Sequence, residues 1–206
     1  MNIQAHLWKI EHWTRKWRLK INETKSTHIT FTLRKETCPP VHINQANIPQ
    51  TETVKYLGLH FDKRLTWREH VTKIRKHLDL KTRELTWLIG KRSPLSLTNK
   101  ILIYKTVLKP IWTYGLALWG CTAASNLAVI QRYQAKTLRQ ITNAPCYVTN
   151  HTLHTDLHIP PVRTVLQELT ETHRTTLKSH LNPLIATILA PPTRRRLQRW
   201  TIDVNS

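Results

Sequence analysis

Glu69, Lys73, Lys76, Leu80, Arg83 and Trp87 follow one another at alternating steps of four and three. That spacing places their side chains on one line of a helix. Ammonium and guanidinium groups in such a line neutralise phosphates, while the aliphatic and indole groups pack on sugars or bases. The plain alternative is a solvated face whose Leu80 and Trp87 touch another helix; the overall charge favours nucleic acid. Arg132, Lys136 and Arg139 repeat the pattern further along, where a solvated face is the simpler account.

Other chemistries find less support. Cys146, His151, His154 and His158 are the densest set of metal-ligating types. Structural zinc shows paired ligands at tight spacings, which these lack, and the three histidines in a proline-bounded segment read as readily as surface residues. No metal site is expected. Phosphoryl transfer at two metals needs carboxylates held close together. Asp62, Asp79, Asp156 and Asp203 are each isolated, and Glu168 and Glu171 sit among polar threonines in a solvated arrangement. No Gly-x-Ser-x-Gly or His-Glu-x-x-His stretch occurs, and the 4 glycines form neither a dinucleotide fingerprint nor a P-loop. The chain's own residues therefore offer no recognisable catalytic centre.

Composition agrees with a polyanion partner. Across 206 residues, 32 Lys and Arg stand against 12 Asp and Glu, a formal net charge of +20, which speeds encounter with nucleic acid first and anionic membrane second. The 40% hydrophobic content suffices for a core. No apolar run reaches the roughly 18 residues of a membrane helix, and the first residues lack the apolar core of a secretory signal. The expectation is a soluble intracellular protein with no membrane partner. Cys38, Cys121 and Cys146 are odd in number and far apart, so reduced thiols are expected.

The elements that must position these residues follow from periodicity. Ile3, Leu7, Ile10, Thr14 and Trp17 predict an amphipathic helix. From Trp17 the period changes to two, and with a turn at Asn22–Lys25 and alternation through Ile29, Phe31 and Leu33 it predicts a hairpin. Val41–Ile43 and Val54–Phe61 flank a Gln/Asn/Pro-rich connection and read as a second hairpin. Thr66 is the candidate cap of a helix of about six turns, whose apolar stripe is Trp67, Val71, Ile74, Leu78, Leu85, Leu88 and Ile89, stopped by Gly90. Leu97 to Trp119 predicts a buried helix kinked or split at Pro110. Leu127, Ile130, Leu138 and Ile141 give another helix, closed by Ala144-Pro145, and shorter helices are expected around 149–157 and 162–181. The fold class is α+β: small antiparallel hairpins in 1–66, a helical bundle in 67–181, and a basic extension over 182–206.

The order of these pieces resembles the reverse transcriptases of non-LTR retrotransposons, most closely the insect jockey-type elements. The residues that carry the resemblance are Trp17 to Phe31 (WRLKINETKSTHITF), Val54 to Leu59 (VKYLGL) with Leu65-Thr66-Trp67, Leu108 to Gly115 (LKPIWTYG) with Leu118-Trp119-Gly120, and Ile130 to Lys136 (IQRYQAK). The resemblance implies that 1–66 is the last part of a polymerase palm and 67–181 the helical thumb. Lys25 then matches the lysine to which protonation of the departing pyrophosphate is ascribed. Lys55, Tyr56, Leu57, Gly58 and Leu59 match the primer-grip hairpin, where a glycine lets backbone approach the primer end; taken alone, Gly58 reads as a bulge. The nucleic-acid contacts fall on Lys73, Lys76, Arg83, Trp87, Arg132, Lys136 and Arg139. The implied partners are an RNA template and DNA primer, bound without regard to sequence, and the upstream fingers and palm of the same polyprotein. Mg2+ is implied for the full-length enzyme and none for this chain, since the family's Ala-Asp-Asp segment has no counterpart among its residues. The family's target-primed copying takes place in the nucleus. The alternative is a repurposed or relic basic protein that binds nucleic acid without polymerising it.

Overall fold

The computed structural model describes residues 3–34, 38–182 and 185. The chain forms two compact units, Met1–Thr66 and Trp67–Ser206.

In the first unit, helix α1 (Ile3–Lys16) ends where Arg18 turns left-handed at φ 53°. The Arg18 amide donates to Arg15 O and the Leu19 amide to Thr14 O, the paired bonds of a Schellman stop. This stop consumes Trp17 to Leu19, so the expected first hairpin does not form. Asn22 completes the change: its Oδ1 accepts from the Lys25 amide and the Thr24 hydroxyl, coiling Glu23–Lys25 into a 3-10 turn. What remains is one parallel bridge between His28 and Gln50.

The second expectation is also corrected, from one hairpin to two. Strand β1 (Val41–Ile43) pairs antiparallel with β2 (Ala46–Ile48), and β3 (Thr53–Tyr56) with β4 (Leu59–Asp62). Each pair is closed by two residues with positive φ, Asn44 and Gln45 at 48° and 65°, Leu57 and Gly58 at 46° and 79°. These primed turns match strand twist, and each strand takes its nearest neighbour because short loops close at the lowest entropic cost. Polar bonds tie the elements together. Gln4 exchanges two hydrogen bonds with the His42 backbone, and the Asn44 amide donates to Glu11. Asn44 Nδ2 donates to Glu23 at 2.8 Å, which holds that carboxyl below the usual carboxylate range. Val41, Ile48 and Leu59 are buried, whereas Ile3, Ile10 and Trp13 along α1, and Trp17 just after it, are exposed.

The second unit is helical. Helix α2 (Arg68–Glu84) is preceded by Trp67, left-handed at φ 61°, which holds the N-cap position. Thr66 does not cap it, because its amide and hydroxyl both donate to the Asp62 carboxylate. The predicted long helix is interrupted at Leu85, and the short α3 (Thr86–Ile89) follows before Gly90. The predicted stripe is buried at Trp67, Val71, Ile74, Leu78 and Ile89. Rings stack edge-on from Trp67 to His70 to Trp119 at 5.9 and 5.7 Å.

Helix α4 (Leu97–Ile103), capped by Ser96, runs through a π turn (Tyr104–Leu108) into α5 (Lys109–Thr113). The Lys109 amide reaches back five residues to Tyr104 O. The irregularity thus precedes Pro110, whose ring would collide with the preceding turn of a regular helix. Buried residues here fall at a uniform step of four: Lys100, Tyr104, Leu108 and Trp112. Three such steps in an α-helix overshoot by about 120°, and the extra residue of the wide turn takes back about 100°. The break comes at Gly115, φ 62°, after which α6 (Leu116–Trp119) begins. Lys100 Nζ donates to Gly90 O at 3.0 Å, tying the loop before α4 to its first turns.

Helix α7 (Ala124–Thr142) lies against α2, α4, α8 (Asn150–Asp156) and α9 (Val162–Lys178). It ends at Asn143 in a left-handed conformation, just before Ala144-Pro145. Tyr133 on α7 shares a 2.7 Å hydrogen bond with the Thr82 hydroxyl and carries the Arg75 guanidinium over its ring at 4.9 Å. Ile89, Tyr104, Leu108, Leu138, Ile141 and Ile159 form a continuous core. Burial raises the Tyr104 and Tyr133 phenols above their ordinary pKa. Among the described residues, no helix is long and apolar enough to cross a membrane. The Arg194–Arg196 run lies outside the described residues, as does nearly all of the 182–206 extension.

Candidate nucleic-acid interface

Lys73, Lys76, Leu80, Arg83 and Trp87 are all exposed, opposite the buried stripe of α2 and α3. The acids of α2 sharpen this line. Glu69 pairs with Lys73 at 3.1 Å, Asp79 with Arg75, and Glu84 with Lys81 at 2.7 Å. Every carboxylate of the helix is thereby engaged, and Lys76 and Arg83 have no ion-pair partner among the described residues. Spacing alone does not reveal this, because Asp79 stands three residues after Lys76 and four before Arg83, as well placed for either as for Arg75.

The α7 cations do not form an equivalent row. Arg132 Nε donates to Ala128 O and Lys136 is exposed, but Arg139 donates to Pro145 O at 3.3 Å and Asn150 Oδ1 at 2.7 Å. Its guanidinium fastens the α7–α8 connection.

In the first unit, Lys55, Tyr56, Leu57 and Gly58 are exposed at the tip of the β3–β4 hairpin, with Tyr56 62% and Leu57 71% exposed. Leu59, across from Tyr56, is buried and anchors the hairpin. Gly58 sits in the turn itself, not in a bulge. Lys25 ends the 3-10 turn with its side chain exposed.

His154 corrects the surface reading of the three histidines. It is buried, with Nδ1 2.8 Å from Ile159 O and Nε2 2.9 Å from the Gln131 amide, whose Oε1 accepts from the Val162 amide. His151 and His158 are exposed. Among the described residues, no three His, Cys, Asp or Glu side chains come together to hold a metal ion. Asp62 accepts from the Thr66 amide and hydroxyl, and Asp79 pairs with Arg75.

No protein-family model matches the chain, and no solved structure is similar to it. Curated proteins are similar. The chain is 39% identical over 197 residues to the probable RNA-directed DNA polymerase from transposon X-element of Drosophila melanogaster, covering 96% of this chain and 22% of that one. It is 35% identical over 206 residues to the RNA-directed DNA polymerase from mobile element jockey of the same species, and 32% identical over 199 to the probable enzyme from transposon BS, again covering 96% of this chain and 22% of theirs. The chain thus spans about a fifth of the length of these relatives. With 96% of this chain matched, it is similar over nearly its whole length to one part of the RNA-directed DNA polymerases of these Drosophila mobile elements.

Proposed function

We propose that this chain is the strand-holding part of an RNA-directed DNA polymerase: a palm end over 1–66, a thumb over 67–181, and a basic extension beyond. It holds primer and template through their phosphates and leaves nucleotidyl transfer, with its Mg2+, to carboxylates elsewhere in the polymerase. The observation that carries this reading is the α2 line, where Lys76 and Arg83 stand unopposed beside exposed Leu80 and Trp87. Phosphates supply the attraction, so binding is insensitive to sequence and steeply dependent on salt. Lys55, Tyr56, Leu57 and Gly58 form the tip that meets the primer end, where a turn without a bulky second residue allows close approach. Leu59 anchors the tip, and Lys25 is an accessory group beside the leaving pyrophosphate.

The test is anisotropy titration of the full chain with RNA–DNA primer–template duplexes of unrelated sequence across a potassium chloride series, with primer extension assayed in parallel. The expected result is similar affinity for every sequence, a steep salt slope and no extension. Attraction no greater than that of a neutral control protein, or unaided extension, would overturn the reading.

A further inference from the structure

The line that begins on α2 ends on an exposed indole. Trp87 is 73% exposed, whereas Trp67, Trp112 and Trp119 in the same unit are 4%, 0% and 0% exposed. Among the described residues its ring has no stacking, hydrogen-bond or ion-pair partner. Arg83 precedes it by one helical turn, and exposed Lys91 and Arg92 follow the Gly90 stop. We propose that Trp87 is a stacking platform for an unpaired base, so that the line Lys73–Trp87 takes single-stranded nucleic acid, including a template overhang, in preference to blunt duplex. The proposal rests on the phosphate-facing reading of α2 given above.

The geometry orders the contacts. Lys73 and Arg83 are about 15 Å apart along α2, the length of about four stacked nucleotides, and Trp87 follows on α3 beyond the interruption at Leu85. The unopposed cations come in mid-line and the aromatic group at the end, so a backbone that tracks Lys76 and Arg83 brings a base to the indole. In a duplex the base faces are covered by their neighbours, and Trp87 meets only sugar and groove edge. In an unpaired strand a face is open, and stacking on an aromatic ring adds to affinity without regard to which base it is. A protein partner is disfavoured by the charge: Arg83, Lys91 and Arg92, close to Trp87 in the chain, are exposed, and the one nearby acid, Glu84, is paired with Lys81.

The test compares the full chain with Trp87→Ala and Trp87→Phe on three probes: a 12-nucleotide oligothymidylate, a 12-base-pair blunt duplex, and that duplex with a six-nucleotide overhang. Trp87→Ala is expected to weaken binding to the oligothymidylate and the overhang by about tenfold while changing blunt-duplex affinity by less than about twofold. Trp87→Phe keeps most of the preference. Equal weakening on all three probes overturns the proposal in favour of packing on sugars, and no weakening on any overturns it in favour of a partner other than nucleic acid. Lys76→Gln/Arg83→Gln separates the two readings. If its salt slope is unchanged on every probe, the phosphate-facing line itself fails; if the slope falls while Trp87→Ala is indifferent to strandedness, only the stacking site fails. Because Trp87 is solvent-facing, all variants are expected to keep the wild-type circular dichroism and thermal midpoint.

Discussion

Replacing Lys76 and Arg83 together by Gln tests the α2 line most directly, because their charge is the part of the helix that no carboxylate offsets. Each phosphate contact contributes about 0.7 to the slope of log affinity against log salt on single strands and about 0.9 on B-form duplex, so the double variant should be flatter by about 1.4 and about 1.8 respectively. Between 50 and 200 mM salt, a slope difference of about 1.4 means that the wild type loses about sevenfold more affinity for a single strand than the variant does. Lys73 differs, since Glu69 already holds it at 3.1 Å. That exposed pair is worth only about 0.3–0.5 kcal/mol, so phosphate can displace it, but the released Glu69 then repels the strand. Adding Lys73→Gln should flatten the slope by less than a full contact, bringing the triple change to about 2 units or a little below on a single strand. The assay is anisotropy at five or more salt concentrations with a labelled oligonucleotide, repeated on duplex. Parallel lines for wild type and double variant would refute the placement of these cations against phosphate.

Three further expectations concern the fold. A Cβ at Gly120 would lie 2.1 Å from Leu166 Cδ1 and 2.6 Å from Leu116 O, so Gly120→Ala should cost about 1–3 kcal/mol, read as a lower urea midpoint. His154→Ala strands the Ile159 carbonyl and the Gln131 amide and should cost about 2–4 kcal/mol by the same measurement; a cost below about 1 kcal/mol would show that water replaces the ring. Burial raises Tyr104 and Tyr133 above their ordinary pKa of 10.0. Their contribution is fully present below pH 10 and is lost as pH rises through the raised values, because the unfolded chain releases these protons first. Tyr104→Phe should therefore lose less stability than wild type between pH 9 and 11, and an identical loss would exclude Tyr104 as a source of the alkaline decline.

The parts legible in the sequence are those decided by local pattern. The α2 stripe is readable because Val71, Ile74 and Leu78 repeat at helical spacing, and the opposite line comes from the same arithmetic. The first hairpin is misread because alternation at Trp17–Ile21 competes with a helix stop that needs only Arg18 in a left-handed conformation, an unusual choice for a residue with a Cβ. Thr66 looks like a cap because its acceptor role is common, but Asp62 four residues earlier claims the hydroxyl. The burial of His154 depends on Gln131, 23 residues away, and the diversion of Arg139 on Asn150; tertiary partners of this kind leave no periodic trace.

The wide turn at Tyr104–Leu108 makes chain length, rather than residue identity, the constrained property of that stretch. Losing one residue there would press the Pro110 ring against the preceding turn, rotate the downstream segment by about 100° and bring Trp112 out toward solvent. Apolar exchanges within the turn should be absorbed, whereas single-codon insertions or deletions, harmless in a surface loop, should scramble inside and outside from Lys109 onward.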